Sequence, residues 1–221
     1  MRKAVQIQNA IANLFPELAL EADQLEAIDR FLAGLLHWNK KVNLTAIRDF
    51  DGLVTKHLLD SLAPLGLCAR GGLECRITGK GVDLGSGAGL PGIIIALMLP
   101  QVEVTSLEKV KKKVAFQTWA KAEIGIKNFK AQARRFDEVA GGDQDFVLAR
   151  ALAEMDLLLG WADHFLRPGG LAWLWKGQGF ETEWEGVKPE LKEQFTLVES
   201  ASYQLDQSRG GRIVVFKKAS D

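Results

Sequence analysis

The segment Val82-Asp83-Leu84-Gly85-Ser86-Gly87-Ala88-Gly89-Leu90-Pro91-Gly92 constrains the fold more than any other part of this chain of 221 residues. Val82 and Leu84 read as the end of a strand, and the apolar run from Leu90 to Leu99 reads as the helix that follows. Glycines at 85, 87 and 89 remove every Cβ from the turn between them, so a ligand can approach the backbone closely. Open N–H groups at the helix start favour a negative or electron-rich ligand group. The apolar run carries Pro91 and Gly92 and falls well short of the roughly twenty residues that span a bilayer, so it is expected to be a core helix.

The residues around this turn change period. Up to about residue 70 the pattern is helical. Ile7, Ile11, Leu14 and Phe15 form one apolar stripe, Leu25, Ile28, Phe31, Leu32, Leu35 and Leu36 a second, and Val54, Leu58, Leu59 and Leu62 a third. Asp51 is the candidate cap of the third helix, and Pro64 with Gly66 to Gly72 is expected to end it. From Lys80 short apolar runs (Gly81 to Leu84, Val102 to Leu107, Phe146 to Ala149, Leu171 to Trp175) alternate with amphipathic stretches (Val110 to Glu123, Ala153 to Phe165). A weaker strand is expected near Phe129. Such alternation predicts a mostly parallel sheet with helices on both faces. Phe195 to Leu205, a turn at Ser208-Arg209-Gly210-Gly211 and Arg212 to Lys217 predict an antiparallel hairpin at the end. The expected fold is α/β, with the Rossmann-like outline of S-adenosylmethionine-dependent methyltransferases. A helical N-terminal extension would occupy residues 1–72 and the methyltransferase domain residues 73–221.

The glycine spacing supports that cofactor. A dinucleotide site spaces its glycines G-x-G-x-x-G around a pyrophosphate; here they run G-x-G-x-G behind Asp83. An acid at that strand end repels pyrophosphate, but it can accept from an ammonium group or hold the turn. S-adenosylmethionine has an ammonium and no phosphate. The plainer alternative is a purely structural glycine turn. Glu108 follows the next strand, about twenty residues on, where an acid grips ribose hydroxyls; an ionised carboxylate accepts from both donors of a cis-diol. Lys109, Lys111, Lys112 and Lys113 come next, either as a solvated helix start or as a basic cluster meeting phosphates of a nucleic acid. Phe116 and Trp119 are expected in the core. Arg150 and Lys176 end two further strands at the same edge and are the candidates for orienting substrate or holding a cofactor carboxylate. Arg212 reads as a solvated or structural charge. The stretch Ala149-Arg150-Ala151-Leu152 stands where methyltransferases of exocyclic amines often carry Asn/Asp-Pro-Pro-Tyr. A target whose lone pair already points outward, such as guanine N7, needs no base, and catalysis then rests on positioning.

Several motifs together resemble the glucose-inhibited division protein B family, bacterial methyltransferases of guanine N7 in small-subunit ribosomal RNA. They are Trp38-Asn39, Val42-Asn43-Leu44-Thr45, His57-Leu58-Leu59-Asp60-Ser61-Leu62, Asp83 to Gly92, Arg150-Ala151 and Trp175-Lys176-Gly177, and the likeness covers nearly the whole chain. The resemblance implies S-adenosyl-L-methionine as cofactor, held by Asp83, Gly85, Ser86, Gly87, Gly89 and Leu90, by Glu108 near the ribose, and by Arg135-Phe136 near the adenine. Arg150 would face the cofactor cleft or substrate. Asn43, His57 and Asp60 would shape an RNA-facing mouth, or serve as caps or buried hydrogen-bonding groups. The family usually has an acid where Phe136 stands, so either Asp137 or the backbone would meet the adenine amine. Ile93-Ile94-Ile95 replaces a stretch that commonly holds a proline.

Composition narrows the partners. Basic and acidic residues balance at 28 each, so no overall field draws the chain to nucleic acid or membrane, and a ribosomal RNA substrate would be met through a local surface or as a 30S particle. The opening Met1-Arg2-Lys3-Ala4-Val5-Gln6 lacks the apolar block of a signal peptide. Cys68, Cys75 and the three histidines, His37, His57 and His164, make no zinc pattern. A cytoplasmic, reduced, metal-free monomer is expected. The competing readings are a methyltransferase of another RNA or another substrate, a nucleotide-dependent oxidoreductase, and a non-catalytic RNA-binding protein that retains the fold.

Overall fold

The parallel sheet predicted from the alternating pattern is present in the computed structural model, which describes residues 2–207 and 209–220. Its strands are β1 (Lys80–Leu84), β2 (Glu103–Leu107), β3 (Phe129–Gln132), β4 (Gln144–Arg150), β5 (Leu166–Lys176), β6 (Phe195–Gln204) and β7 (Gly210–Lys218). They lie in the order β3-β2-β1-β4-β5-β7-β6. The first five are parallel, with Leu84 beside both Leu107 of β2 and Ala149 of β4. β7 runs antiparallel to β5 and β6, which makes the terminal hairpin; Ser208 of its expected turn lies outside the described residues. After β1 the chain goes out to β2 and β3, then returns to the other side of β1 as β4. That reversal opens a crevice at the carboxyl ends of the central strands, the usual ligand position in an open α/β sheet.

Side-chain alternation sorts the core into two layers. Val104, Phe146, Leu148, Trp173, Ile213 and Val215 face one layer, and Val82, Leu84, Val147, Leu174, Val214 and Phe216 face the other. The first layer is covered by the N-terminal helices α1 (Arg2–Leu14), α2 (Ala22–Val42), α3 (Phe50–Leu53) and α4 (Leu59–Ala69), together with α5 (Gly92–Met98) and α6 (Lys111–Ile124). The second lies under α7 (Met155–Phe165), α8 (Phe180–Glu185) and α9 (Pro189–Gln194). Ile7, Phe31 and Leu62 therefore share one apolar cluster with Ile93 and Phe116. Burial of this cluster ties the helices before residue 72 to the sheet after it.

Three local expectations are corrected. Asp51 is not the cap: Asp49 is, its Oδ1 accepting from Gly52 N at 2.7 Å, and α3 continues through a π-turn (Val54–Leu58) into α4. Pro64 does not break the helix; it is buried inside α4. A proline has no N–H for the carbonyl four residues back, here that of Asp60. The Trp175 indole N–H donates to that carbonyl at 2.7 Å from the end of β5, which satisfies the orphaned acceptor and lets α4 run on to Ala69. Finally, β5 begins at Leu166 and not at Leu171, because its early part still pairs with β4 at Gln144. Cys68 and Cys75 are free thiols. Among the described residues no helix is long and apolar enough to cross a membrane, and no cluster of His, Cys, Asp and Glu can hold a metal ion.

The Pro64–Asp60–Trp175 arrangement is testable by a double-mutant cycle in urea. Trp175→Phe leaves the Asp60 carbonyl without a donor, which costs about 1–3 kcal/mol. Adding Pro64→Ala restores a helical N–H, so the double variant is expected to be more stable than Trp175→Phe alone. A double variant that is no more stable would contradict this account.

Candidate functional site

The glycine turn stands at the carboxyl end of β1, and its shape is dictated by backbone angles that side chains resist. Gly85, Gly87 and Gly89 have φ of 62°, 59° and 84°, left-handed values that cost other residues about 1–2 kcal/mol. A Cβ on Gly85 would lie 2.5 Å from Leu152, and one on Gly89 2.4 Å from Ile93. A Cβ on Gly87 would meet nothing within 4 Å. Gly87 is therefore the point where bare backbone is left open to a ligand.

Buried side chains fix the turn from beneath. Asp83 has no exposed surface; its Oδ2 accepts from Gly92 N at 2.8 Å, and its Oδ1 has no partner among the described residues. Of the two roles open to it from sequence, its one hydrogen bond serves the holding of the turn. Burial raises its carboxyl from 3.8 to about 7, against the pull of that hydrogen bond and the Arg150 charge. A second anchor was not foreseen. The Gln117 side chain donates to Gly87 O at 2.8 Å and to Ser86 Oγ at 2.9 Å, and accepts from Ser106 Oγ at 2.6 Å, while the two serine hydroxyls also bond each other. Ser106 and Gln117 are wholly buried. The sequence signal was there to read: polar residues interrupting an apolar strand and an apolar helix face, which need partners when buried.

Glu108 follows β2 and is 6% exposed. Its Oε2 accepts from Gly87 N at 3.1 Å and its Oε1 from Val110 N at 2.9 Å. Each oxygen keeps a lone pair, so the carboxylate is both braced and able to accept two hydroxyls. It lies on the wall of a cleft of about 630 Å³, whose lining also includes Gly85, Lys109, Lys113, Phe136 and Trp161. Lys111 and Lys112 are exposed at the start of α6, outside this lining. Phe116 is buried and packs against Phe31, Trp38 and Trp119, as expected of a core residue. Beyond β3, Phe136 meets Trp161 edge to face at 4.9 Å. Arg135 and Asp137 form an exposed ion pair at 3.0 Å, a kind that adds little stability.

The expected cations at the sheet edge are held in internal pairs. Arg150 Nη1 donates to Asp60 Oδ2 at 2.9 Å, with about an eighth of each side chain exposed. The Tyr203 hydroxyl donates to the other Asp60 oxygen. Lys176, nearly buried, is ion-paired with Glu183, and Arg212 pairs with Glu181 at 2.8 Å. Asp60 thus joins α4, β4 and the terminal hairpin. His57 stands nearby with Nε2 at 2.7 Å from Thr45 Oγ1 and its Nδ1 without a partner among the described residues. Burial, then the Arg150 charge, lowers it from 6.5 to about 4, so it is neutral at pH 7. Asn39 is buried and pins the following loop by donating to Thr45 O and Ile47 O and accepting from Thr45 N; Asn43 is exposed and accepts from Arg48. The sequence ties these residues to one family motif, and the structure shows them as one polar cluster.

The uncrowded backbone at Gly87, the braced diol acceptor at Glu108 and the aromatic wall beyond it are of a kind that fits the methionine, ribose and adenine parts of S-adenosylmethionine. No cationic group stands among the turn residues 85–92 to receive a pyrophosphate. Known proteins agree with this chemistry. The family model GidB, described as rRNA small subunit methyltransferase G, matches residues 24–209. The chain is 36% identical over 170 residues to Ribosomal RNA small subunit methyltransferase G of Bordetella avium, covering 77% of this chain and 75% of that protein. It is 40% identical over 162 residues to the protein of that name from Methylobacillus flagellatus (73% and 75%). The one from Streptococcus pyogenes serotype M1 is 32% identical over 211 residues (92% and 86%). Among solved structures, TrmN from Thermus thermophilus has a TM-score of 0.55 at 17% identity, covering 72% of this chain and 48% of that one. TYW2 of M. jannaschii in complex with AdoMet has 0.52 at 17%, covering 64% and 70%. These structural likenesses establish the Rossmann-like methyltransferase fold.

Asp83 and His57 make stability depend on pH in opposite senses. Folding favours neutral Asp83, so its effect is most favourable below pH 3.8 and is lost as pH rises to about 7. Folding favours neutral His57, whose effect is most favourable above pH 6.5 and is lost as pH falls to about 4. Between these limits the slopes oppose. Asp83→Asn should therefore shift the slope of stability against pH upward and His57→Gln should shift it downward, each by up to about 1.4 kcal/mol per pH unit, read from urea midpoints. Parallel profiles for wild type and Asp83→Asn would contradict this assignment.

Proposed function

The chain belongs to the GidB family, rRNA small subunit methyltransferase G, and from that premise we propose that it methylates N7 of a guanine in 16S ribosomal RNA with S-adenosylmethionine as donor. The observation that carries the reading is the braced Glu108 carboxylate, one strand away from the sterically open Gly87 and accepting from its N–H. The cofactor supplies an electrophilic methyl group on sulfur. Around it the chain has positioning to do: the turn from Gly85 to Leu90 borders the methionine end, Glu108 accepts the ribose hydroxyls, and Phe136 with Arg135 borders the adenine.

Nothing in this chemistry asks for a general base. Guanine N7 presents its lone pair outward, and the residues after β4 are Ala151 and Leu152, which hold apolar surface beside the turn. Rate then comes from aligning the lone pair with the methyl and from excluding water. Arg150 bonds Asp60 through Nη1, and its other guanidinium N–H groups are assigned to orienting the RNA; Lys176 would join it in that role by leaving its pair with Glu183. Lys109 and Lys113 on the cleft wall suit RNA phosphates.

The division of labour belongs to the same proposal. Residues 1–72 supply the mouth through Asn43, His57 and Asp60, and residues 73–221 bind the cofactor. With equal numbers of basic and acidic residues, this cytoplasmic monomer would act on a 30S particle whose proteins complete the binding surface. Equal activity on protein-free RNA would remove that part of the proposal.

Glu108→Gln keeps one acceptor and loses the charge. S-adenosylhomocysteine should bind it about tenfold to a hundredfold more weakly, the worth of one charged hydrogen bond. In a strain lacking the gene, this variant should restore little N7-methylguanine to 16S RNA while wild type restores it. Full modification by Glu108→Gln would overturn the assignment.

A further inference from the structure

The part of the cleft beyond Glu108 is poor in hydrogen-bond acceptors. Of the side chains that line it, only Glu108 and Asp137 carry carboxylates. Glu108 is committed to Gly87 N and Val110 N, and on the reading above to the ribose. Asp137 receives a forked pair from Arg135, Nε to Oδ1 at 3.0 Å and Nη2 to Oδ2 at 3.2 Å. Lys109, Lys113, Arg134 and Arg135 only donate. What remains is apolar: Val110, which is 39% exposed, with Phe136 and Trp161 set edge to face. Apart from the outer lone pairs of the exposed, Arg135-paired Asp137, a nucleobase amine meets no side-chain acceptor there, whereas its ring meets aromatic and aliphatic surface. The Arg135–Asp137 pair is more than two-thirds exposed on both sides, so that side of the cleft has room for a substituent.

We propose that this subsite recognises the adenine by its faces, with Phe136 as the specificity-determining residue, and that the protein therefore accepts cofactors substituted on the 6-amino group. The inference rests on the reading of the cleft as the S-adenosylmethionine site and adds to it a stated tolerance. An isosteric pocket with a side-chain acceptor would reject a base that has lost its N–H donors, because a buried acceptor left unpaired is costly. A stacking surface is indifferent to that loss.

The test is calorimetric binding of S-adenosylhomocysteine and its N6,N6-dimethyl analogue, which has no N–H on the base. Wild type should bind the two with dissociation constants within about fivefold of each other, less than one lost hydrogen bond with its partner left unpaired would cause. Phe136→Asp places an acceptor on the wall and should raise that ratio above about fivefold by favouring the unsubstituted ligand. Phe136→Leu keeps apolar bulk without the ring and should weaken both ligands by a similar factor, which keeps the test open if Phe136→Asp fails to fold. A wild-type ratio above fivefold, or a Phe136→Leu variant that binds both ligands as wild type does, overturns face recognition while leaving the cofactor site in place. Failure of S-adenosylhomocysteine itself to bind overturns both.

Discussion

One buried hydrogen bond sets the geometry on which the site depends: Asp83 Oδ2 accepts from Gly92 N at 2.8 Å. It ties the end of β1 to the first residue of α5, so the turn between them must arch outward. A Cβ on Gly92 would lie 2.6 Å from that oxygen, which is why glycine stands there. A carboxyl in such apolar surroundings is pushed toward its neutral form, yet even a protonated carboxyl keeps an acceptor for the amide. The turn is then clamped a second time, through Ser106 of β2 and Gln117 of α6 beneath and Glu108 at the side. Because β1 and β2 are hydrogen-bonded neighbours, the two clamps move as one body. A ligand spanning turn and strand end finds its partners already spaced.

Asp60 performs the matching task at the other end of the crevice. Its carboxylate receives Arg150 and Tyr203, and its carbonyl receives Trp175. That carbonyl lacks its usual helical donor because Pro64 has no N–H. A residue that would count as a helix breaker thus creates the acceptor that docks α4 onto β5. Satisfied polar groups in a low-dielectric junction of this kind specify one arrangement of the packed parts, here the helical extension against the sheet edge.

The sequence was most informative where period and spacing carry direct physical meaning. Val82 and Leu84 before three glycines located β1 and the turn, and the change from helical to strand period placed the sheet. Glu108 was found because an acid after the second strand has a reason to be there. Side-chain partners were less legible. Arg150 and Lys176 were rightly placed at strand ends, but position on an edge says nothing of Asp60 or Glu183, which come from distant parts of the chain. Ser106 and Gln117 are not legible as partners in the sequence because their value appears only when two elements meet. Asp49 displaced Asp51 as the cap, since helix starts are fixed by a single hydrogen bond that periodicity does not reveal. Pro64 looks like a helix breaker in the sequence because the donor that compensates its missing N–H comes from β5, more than a hundred residues away.

The central claim is that this turn seats a sulfonium nucleoside and not a dinucleotide pyrophosphate. Isothermal titration of the purified protein with S-adenosylhomocysteine and, separately, with NAD tests it directly. The account predicts saturable heat at one site per chain for the first ligand and none for the second. Heat from NAD, or none from S-adenosylhomocysteine, would contradict it.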